Sequence, residues 1–227
     1  MKYSRLKRIF TSGNIIEKGK RKIYKVLLEY PFGKLMYFLP IKKNRVVIDN
    51  FGGKGYGDST KCIADGLIKA NSNYDKIWLV DNISSYDFPS QIKPIKIDSL
   101  RALYMRATAK VWIDNVRHLH PVRKKKQQVY LQVWHAPFGP KKVEADAEGE
   151  LGERYAKEAK YDGQIANGII SNSKLLDDQF QRAFWLSDDV EILRFGLPRN
   201  DFLVQRIGDV AEYKHFREKF NFDNESL

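Results

Sequence analysis

The chain has few sulfur-containing residues, few histidines and no long apolar run, and each shortage excludes some classes of protein. Its single cysteine, Cys62, excludes an internal disulfide and fits a reducing compartment. No segment approaches the ~20 apolar residues of a membrane-spanning helix. The first residues also lack the continuous apolar core and cleavage site of a signal peptide. We therefore expect a cytoplasmic chain without a transmembrane segment.

The four histidines give little support for a metal centre. His118 and His120 form a His-x-His pair, but no cysteine or carboxylate near them completes a ligand set. His215 lies near the C-terminus without an evident partner. We predict no metal site and no cofactor, which leaves His135 as the histidine with a candidate role in catalysis.

Acidic residues are scarce at the N-terminus, although the chain as a whole has 28. Residues 1–45 hold 13 lysines and arginines but only two glutamates, a net +11, whereas the other 182 residues sum to +1. Apolar and aromatic residues are dense from Ile23 to Ile41. A basic amphipathic segment of this kind favours an anionic membrane surface. The alternative is a helical appendage that packs its apolar face on the domain. No nucleic-acid recognition motif accompanies the charge, so we predict no nucleic-acid partner.

Apolar runs and turn residues alternate along the rest of the chain in a strand–helix order. The pattern predicts a parallel sheet with helices on both faces, an α/β fold. Predicted strands are Arg45–Phe51, Lys76–Asp81, Ile92–Ile97, Lys110–Asn115, Gln128–Trp134, Gly168–Ser171 and Val190–Phe195. Predicted helices are 58–70, with Asp58 or Ser59 as N-cap, 99–108 after Ser99, a polar helix near 148–161, Lys174–Trp185 and a tail from Asp201.

One predicted strand runs directly into His135 and is stopped by Pro137, Gly139 and Pro140. This places an imidazole at the carboxyl edge of the sheet, where ligands bind in open α/β folds. Lys141 and Lys142 follow closely. A titratable base beside fixed positive charge suits proton abstraction near a phosphate. A hydrogen-bonded structural histidine is the alternative.

Other features near the same edge remain open to two interpretations. The glycine-rich turn 52–57 lacks both the GxGxxG and the P-loop spacing. It is either a turn whose N–H groups approach a phosphate or a plain tight turn. Asp49, Asp81 and Asp114 end strands and either contact a hydroxyl or cap a helix. The basic run 123–126 is predicted to be a solvated loop, the alternative being a track for a phosphate polymer.

Four segments, taken in order, resemble the CDP-glycerol glycerophosphotransferase family, the teichoic-acid polyol-phosphate transferases. The matching motifs are Trp134-His135-Ala136 with Lys141-Lys142, Phe195–Asp201 (FGLPRND), Ser171-Asn172-Ser173 with Ala183-Phe184, and Pro40–Lys43 leading into 45–57. The resemblance implies a GT-B fold of two Rossmann-like domains, of which this chain resembles the N-terminal, acceptor-binding half. A second domain, with further histidines and most CDP contacts, is expected after about Leu227. The chain alone is therefore expected to be inactive.

By that resemblance, His135 is the general base for an acceptor hydroxyl that attacks a CDP-polyol. The partners are then a CDP-glycerol or CDP-ribitol donor, a polyol-phosphate or lipid-linked acceptor and an anionic membrane surface, at the cytoplasmic face of the cell membrane. The substrate-binding residues implied are Lys141, Lys142, Arg199, Asp201, Ser171 and Ser173. Asp201 either orients Arg199 or caps the following helix.

We divide the chain into a basic arm (1–44), a Rossmann-like domain (45–200) and a helical tail (201–227). Two other functions stay open beside the transferase. One is a non-catalytic, membrane-attached module that binds an anionic polymer, and the other is a GT-B glycosyltransferase that uses a nucleotide sugar. The oligomeric state is not indicated by the sequence.

Overall fold

The computed structural model describes residues 30–117, 122–136 and 142–220. Strands and helices alternate along these residues, as predicted. The strands are β1 (Lys42–Asp49), β2 (Asp75–Val80), β3 (Ile92–Lys96), β4 (Ala109–Asp114), β5 (Val129–Gln132), β6 (Gly168–Ser171) and β7 (Glu191–Arg194). The helices are α1 (Tyr30–Met36), α2 (Asp58–Lys69), α3 (Leu100–Thr108), α4 (Glu153–Ile165), α5 (Lys174–Ala183), α6 (Asp201–Gln205) and α7 (Val210–Phe220). Short 3₁₀ helices lie at Ile83–Ser85, Glu144–Glu150 and Pro198–Asn200.

The strands form one parallel sheet in the order β3-β2-β1-β4-β5-β6-β7. The chain moves outward in one direction from β1 and in the other from β4, so the order reverses between these two neighbours. In their register, Asp49 of β1 lies beside Asp114 of β4. The predicted Rossmann-like fold is confirmed. In such folds ligands bind outside the carboxyl ends of the strands at the point of reversal.

Successive strand residues point to opposite faces of the sheet, and each face is covered by helices. On one face the strand residues pack with the apolar side of α3, and on the other with that of α2. The first cluster includes Val47, Ile77, Leu79, Trp112, Tyr130, Ala102, Leu103 and Met105. The second includes Val46, Ile48, Trp78, Val80, Ile113, Val133 and Ala64. A third cluster lies under α5 and contains Ile169, Leu176, Phe180 and Phe184.

A buried arginine joins the two strands at the reversal point. Arg106, on α3, pairs with Asp114 through Nη1 at 3.0 Å and with Asp49 through Nη2 at 3.4 Å, and both carboxylates are fully buried. Burial works to lower the pKa of Arg106, but the charges of Asp114 and Asp49 outweigh it and the pKa rises. Asp49 and Asp114 thus balance a buried cation, and Asp49 Oδ1 also accepts a hydrogen bond from the N–H of Gly53.

Several local predictions differ from the structure. The N-cap of α2 is Gly57, not Asp58 or Ser59, and Asp58 instead accepts a 2.5 Å hydrogen bond from the N–H of Ser59. The polar helix predicted near 148–161 is divided into a 3₁₀ helix and α4, which begins only at Glu153. β1 begins at Lys42, three residues before the predicted strand.

The basic run 123–126 is only in part the solvated loop that we predicted, since Lys126 is exposed but Lys125 is not. Lys125 is buried, and its ammonium group donates to the carbonyls of Ala107 (2.7 Å) and Leu39. Burial lowers the pKa of Lys125. Arg123 lies over the ring of Tyr161 at 4.0 Å. The run is predicted as solvated because it is charged, but its longest side chains can reach backbone carbonyls inside the domain.

The predicted arm lies mostly outside the described residues, which begin at residue 30. Its described part is α1, where Met36 packs on the first apolar cluster while Leu35 and Phe38 are exposed. Within residues 30–117, 122–136 and 142–220, no helix has the length and apolar character needed to cross a bilayer.

Candidate active site

The carboxyl ends of β1 and β4 carry the same two residues in succession, an aspartate and an asparagine. The aspartates hold Arg106, and the asparagines that follow, Asn50 and Asn115, hydrogen-bond to each other. Asn115 Nδ2 donates to Asn50 Oδ1 at 2.9 Å, and Asn115 Oδ1 accepts from the N–H of Phe51 at 2.8 Å. Both asparagines are buried. The two strand ends are thereby fixed to each other.

His135 lies beside this asparagine pair, three residues beyond the end of β5. Its Nδ1 is 2.9 Å from the carbonyl oxygen of Asn115. A carbonyl oxygen only accepts hydrogen bonds, so Nδ1 carries the hydrogen and the lone pair remains on Nε2. The rings of Phe51 and Trp134 pack against the imidazole, with centroids at 5.4 and 4.5 Å. The half-buried imidazole therefore has one defined tautomer and a proton-accepting nitrogen.

The backbone just before the histidine is strained. Trp134 has a φ of 51°, in the left-handed region that bulky residues rarely adopt. Its N–H donates to Oε1 of the buried Gln132 at 2.9 Å. Gln132 Nε2 in turn donates to the carbonyl of Val116 (3.2 Å) and to the hydroxyl of Tyr130 (2.9 Å). Backbone strain of this kind concentrates at functional sites.

A buried ionic network lies beneath the indole of Trp134. Arg117 pairs with Asp162 at 2.8 Å, donates to the carbonyl of Phe184 at 3.0 Å and lies 6.0 Å from the indole centroid. Tyr130 donates its hydroxyl to Asp162 at 3.0 Å. Burial raises the pKa of Tyr130 well above its ordinary value, with Asp162 adding to the effect, so the hydroxyl keeps its proton. The network holds the floor of the site in one arrangement.

The glycine-rich turn 52–57 uses its first donors internally. Gly53 donates to Asn50 O and to Asp49 Oδ1, and Lys54 donates to Asn50 O. A Cβ on Gly53 would lie 2.9 Å from the backbone nitrogen of Asp81, so this turn requires glycine. The geometry favours the tight-turn interpretation over a phosphate cradle.

The other predicted site residues lie at the same edge of the sheet but have local partners. Arg199 pairs through Nη1 with Asp58 at 2.8 Å, not with Asp201, which is exposed in the first turn of α6. Ser171, buried at the end of β6, donates its hydroxyl to the carbonyl of Ser173 at 3.1 Å. Ser173 is the N-cap of α5.

The lysine pair after His135 is only half described. Lys141 lies outside the described residues, and Lys142 is exposed. Arg182, and less strongly Lys142, hold the pKa of Asp146 below its ordinary value. Among the residues that the structure describes, no group of three or more histidine, cysteine, aspartate or glutamate side chains is placed to hold a metal ion.

Sequence reasoning missed the residues that hold His135 in place. The signal for Asn50 and Asn115 was present, because the strands Arg45–Phe51 and Lys110–Asn115 both contain Ile-Asp-Asn. Gln132 also stood out as an amide within the apolar run VYLQVW. Arg117 and Asp162 lie 45 residues apart, and nothing in the sequence pairs them.

The family model of CDP-glycerol:poly(glycerophosphate) glycerophosphotransferases matches residues 32–226. The chain belongs to this family. Among curated members similar to it are a teichoic acid poly(glycerol phosphate) polymerase of Staphylococcus epidermidis, 29% identical over 191 residues, and a teichoic acid glycerol-phosphate transferase of Staphylococcus aureus, 29% identical over 199 residues. The matches cover 82% and 85% of this chain but 26% and 50% of those relatives.

Solved structures of the wall teichoic acid polymerase TagF, a glycerophosphotransferase relative, share the fold. Two of them superpose with TM-scores of 0.74 and 0.76 at 26% sequence identity. The superpositions cover 93% of this chain and 56% and 55% of the TagF chains. The chain thus spans about half, or less, of the length of these relatives.

Proposed function

We propose that the intact protein transfers glycerol phosphate or ribitol phosphate from a CDP-polyol to an acceptor hydroxyl, in the synthesis of a teichoic-acid or capsule-type polymer. The observation that carries the proposal is the imidazole of His135. It lies at the carboxyl edge of the sheet, and its Nδ1 bond to the Asn115 carbonyl leaves a basic Nε2. Membership of the glycerophosphotransferase family supports the same reaction class.

In the proposed step, His135 Nε2 takes the proton from the acceptor hydroxyl as its oxygen bonds to the β-phosphorus of the donor. The bond between that phosphorus and the bridging oxygen breaks, and CMP leaves with the electron pair. An alcohol needs this help because its proton must depart as the new bond forms. The loose transition state of phosphoryl transfer requires positive charge and positioning more than covalent chemistry.

Positive side chains near the histidine would supply that charge. We propose Lys141 and Lys142 as ligands of acceptor phosphates, and Arg199 as a phosphate ligand next to its partner Asp58. Asp201 follows Arg199 at the start of α6 and is proposed to limit its orientation. Ser171 and Ser173 are proposed to contribute through the β6–α5 turn, since both hydroxyls already have partners there.

Replacement of His135 by alanine tests the proposal. In the complete protein, we expect His135→Ala to lower the release of CMP from CDP-glycerol or CDP-ribitol by about 10²- to 10⁴-fold, the usual contribution of a general base. His215→Ala, which removes an exposed histidine of α7, is the matched control and should turn over normally. Unchanged CMP release in His135→Ala would refute the base assignment.

A non-catalytic module that binds an anionic polymer is the second candidate. The observation in its favour is charge, since the sequence carries a formal net charge of +12 at pH 7, which attracts an anionic polymer. The same assay separates the two candidates, because a binding module would retain poly(glycerol phosphate) without releasing CMP in any variant.

We further propose that the protein associates peripherally with the inner face of the cell membrane through the amino edge of its sheet. This amino-edge surface consists of Leu35, Phe38, Lys42, Lys43 and Lys110. Phe38 is 84% exposed, and Phe38, Lys43 and Lys110 line one groove. Exposed aromatic residues with lysines are typical of surfaces that bind anionic lipids.

The tail carries an exposed apolar surface on α6 and α7. Its members include Phe202, Leu203, Ile207, Val210 and Phe216, each at least half exposed. Apolar patches of this kind mark interaction surfaces. We propose that in the intact protein this surface contacts a second domain, which carries the donor contacts.

A further inference from the structure

Gln132 is a buried polar residue close to the candidate base, and the proposed reaction assigns it no role. It ends β5, the residue is 1% exposed, and it lies three residues before the candidate base. We propose that Gln132 is a positioning residue, which holds the peptide of Trp134 in the left-handed conformation from which the chain presents the His135 imidazole. As a role in catalysis, this positioning depends on the proposed base function of His135.

The conformation of Trp134 needs a restraint. A residue with a bulky side chain leaves the left-handed region unless surrounding contacts hold it there. The restraint is the 2.9 Å hydrogen bond from the Trp134 N–H to Gln132 Oε1. Edge-to-face packing of the indole on Phe184, with centroids 4.7 Å apart, keeps the side chain in place while the amide bond fixes the backbone.

The Gln132 carboxamide has one possible orientation. Its Nε2 donates to the carbonyl of Val116 and to the hydroxyl of Tyr130, and that hydroxyl donates its own hydrogen to Asp162. Both neighbours accept a hydrogen from Nε2, so only Oε1 can face the Trp134 N–H.

The partners of Gln132 are adjacent to those of His135. Val116 follows Asn115, whose carbonyl accepts the Nδ1 hydrogen bond of His135. The buried Gln132 side chain therefore links Val116, after β4, to Trp134, after β5. These two residues are the chain neighbours of Asn115 and His135, which the Nδ1 hydrogen bond joins. If the Gln132 link is cut, Trp134 is free to leave the left-handed region, and the Cα–Cβ bond of His135 then turns away from Asn115. The imidazole would lose its fixed tautomer.

The chain contains a matched control at the opposite edge of the sheet. Gln128, just before β5, is also 1% exposed and also makes three hydrogen bonds, to Arg106 O, Ala109 O and the N–H of Lys125. We would compare Gln132→Met with Gln128→Met in the 227-residue chain by ¹⁵N-histidine NMR, with the His135 signals assigned from a His135→Gln sample. Melting temperatures should fall by similar amounts in both, because equivalent buried amides are lost.

We expect the His135 signals to change from the Nδ1–H tautomer to a mixture in Gln132→Met and to stay unchanged in Gln128→Met. Retention of the Nδ1–H tautomer in Gln132→Met, or its equal loss in Gln128→Met, would overturn the positioning role. Gln132→Glu is a second variant, which keeps the volume but replaces the Nε2 donor by an oxygen that faces two acceptors, the Val116 carbonyl and the Tyr130 hydroxyl. It should also lose the single tautomer, and retention of the tautomer there would contradict the mechanism as well.

Failure of the proposed function would look different. If Gln132→Met loses the tautomer while His135→Ala still releases CMP at the normal rate, the positioning role stands and the base role fails. If His135→Ala loses turnover and Gln132→Met keeps both tautomer and turnover, the base role stands and the positioning role fails.

Discussion

At the point where the strand order reverses, His135 is supported by buried polar side chains more than by exposed ones. Arg106 holds Asp49 and Asp114, each of which is followed by the asparagine that fixes a strand end. A buried charge costs several kcal/mol to desolvate, and it is tolerated because the opposite charges and hydrogen bonds compensate. The ion triad therefore supports His135 indirectly, because Asp114 directly precedes Asn115, whose carbonyl accepts the Nδ1 hydrogen bond of His135.

Removing the cation should leave two buried carboxylates without compensation. We expect Arg106→Met to lower the free energy of unfolding by about 3–5 kcal/mol, the usual cost of breaking a buried ion pair from one side. Urea unfolding followed by circular dichroism would measure it. Arg194→Met, which breaks the exposed pair with Asp177, should change stability far less. A small effect of Arg106→Met would mean that the triad adds little to stability.

At the scale of elements, Asp75 ties three neighbouring strands together at the start of β2. It accepts hydrogen bonds from Arg45 of β1 at 3.0 Å and from Lys93 of β3 at 2.6 Å. Arg45 is itself buried and donates to Thr108 at the end of α3. Partial burial opposes ionisation of Asp75, but Lys93 and Arg45 outweigh it and hold its pKa below the ordinary value.

A depressed carboxylate pKa gives a definite dependence of stability on pH. Because the folded-state pKa is the lower one, its contribution is complete above the unfolded-state pKa, near 4, and is lost as the pH falls through the folded-state pKa. We expect Asp75→Asn to lose about 1–2 kcal/mol at pH 7, the cost of weakened charged hydrogen bonds. The difference from the parent chain should shrink below about pH 4. A difference that stays constant from pH 7 to pH 2 would contradict this assignment.

The elements themselves were predictable from the sequence because their signals are local. β-branched runs such as Val46–Ile48 require burial on both sides, and the apolar side of α3 follows a helical period from its Ser99 cap. The position of His135 followed from the prolines and glycine after it. The hydrogen bonds that restrain His135 could not be predicted, because the left-handed conformation of Trp134 is contrary to local preference. That conformation depends on the Gln132 carboxamide, which is itself held by hydrogen bonds to Val116 and Tyr130.

At the scale of the whole molecule, the two edges of the parallel sheet differ in chemistry. The carboxyl edge holds the candidate base and its buried support. The amino-edge surface combines exposed apolar side chains on α1 with lysines at the starts of β1 and β4. If that surface lies on a membrane, the opposite edge points to the aqueous side, where a soluble nucleotide donor would reach it. Residues 1–29 would add nine lysines and arginines against two glutamates, and each basic residue near the surface contributes about 1 kcal/mol.

Two phenylalanines provide a matched test of this orientation. Phe38 precedes β1 at the amino edge and is 84% exposed, while Phe195 follows β7 at the carboxyl edge and is 80% exposed. In flotation with vesicles that contain anionic lipid, we expect Phe38→Ser, and Lys42→Glu combined with Lys43→Glu, to lower the bound fraction. Phe195→Ser should bind like the parent chain, because its side chain faces away from the bilayer.

Deletion of residues 1–41 should abolish flotation, and raised salt should weaken it because lysine contacts to lipid headgroups are screened. Equal flotation with and without residues 1–41 would exclude membrane binding through this edge, and equal losses for Phe38→Ser and Phe195→Ser would exclude the orientation.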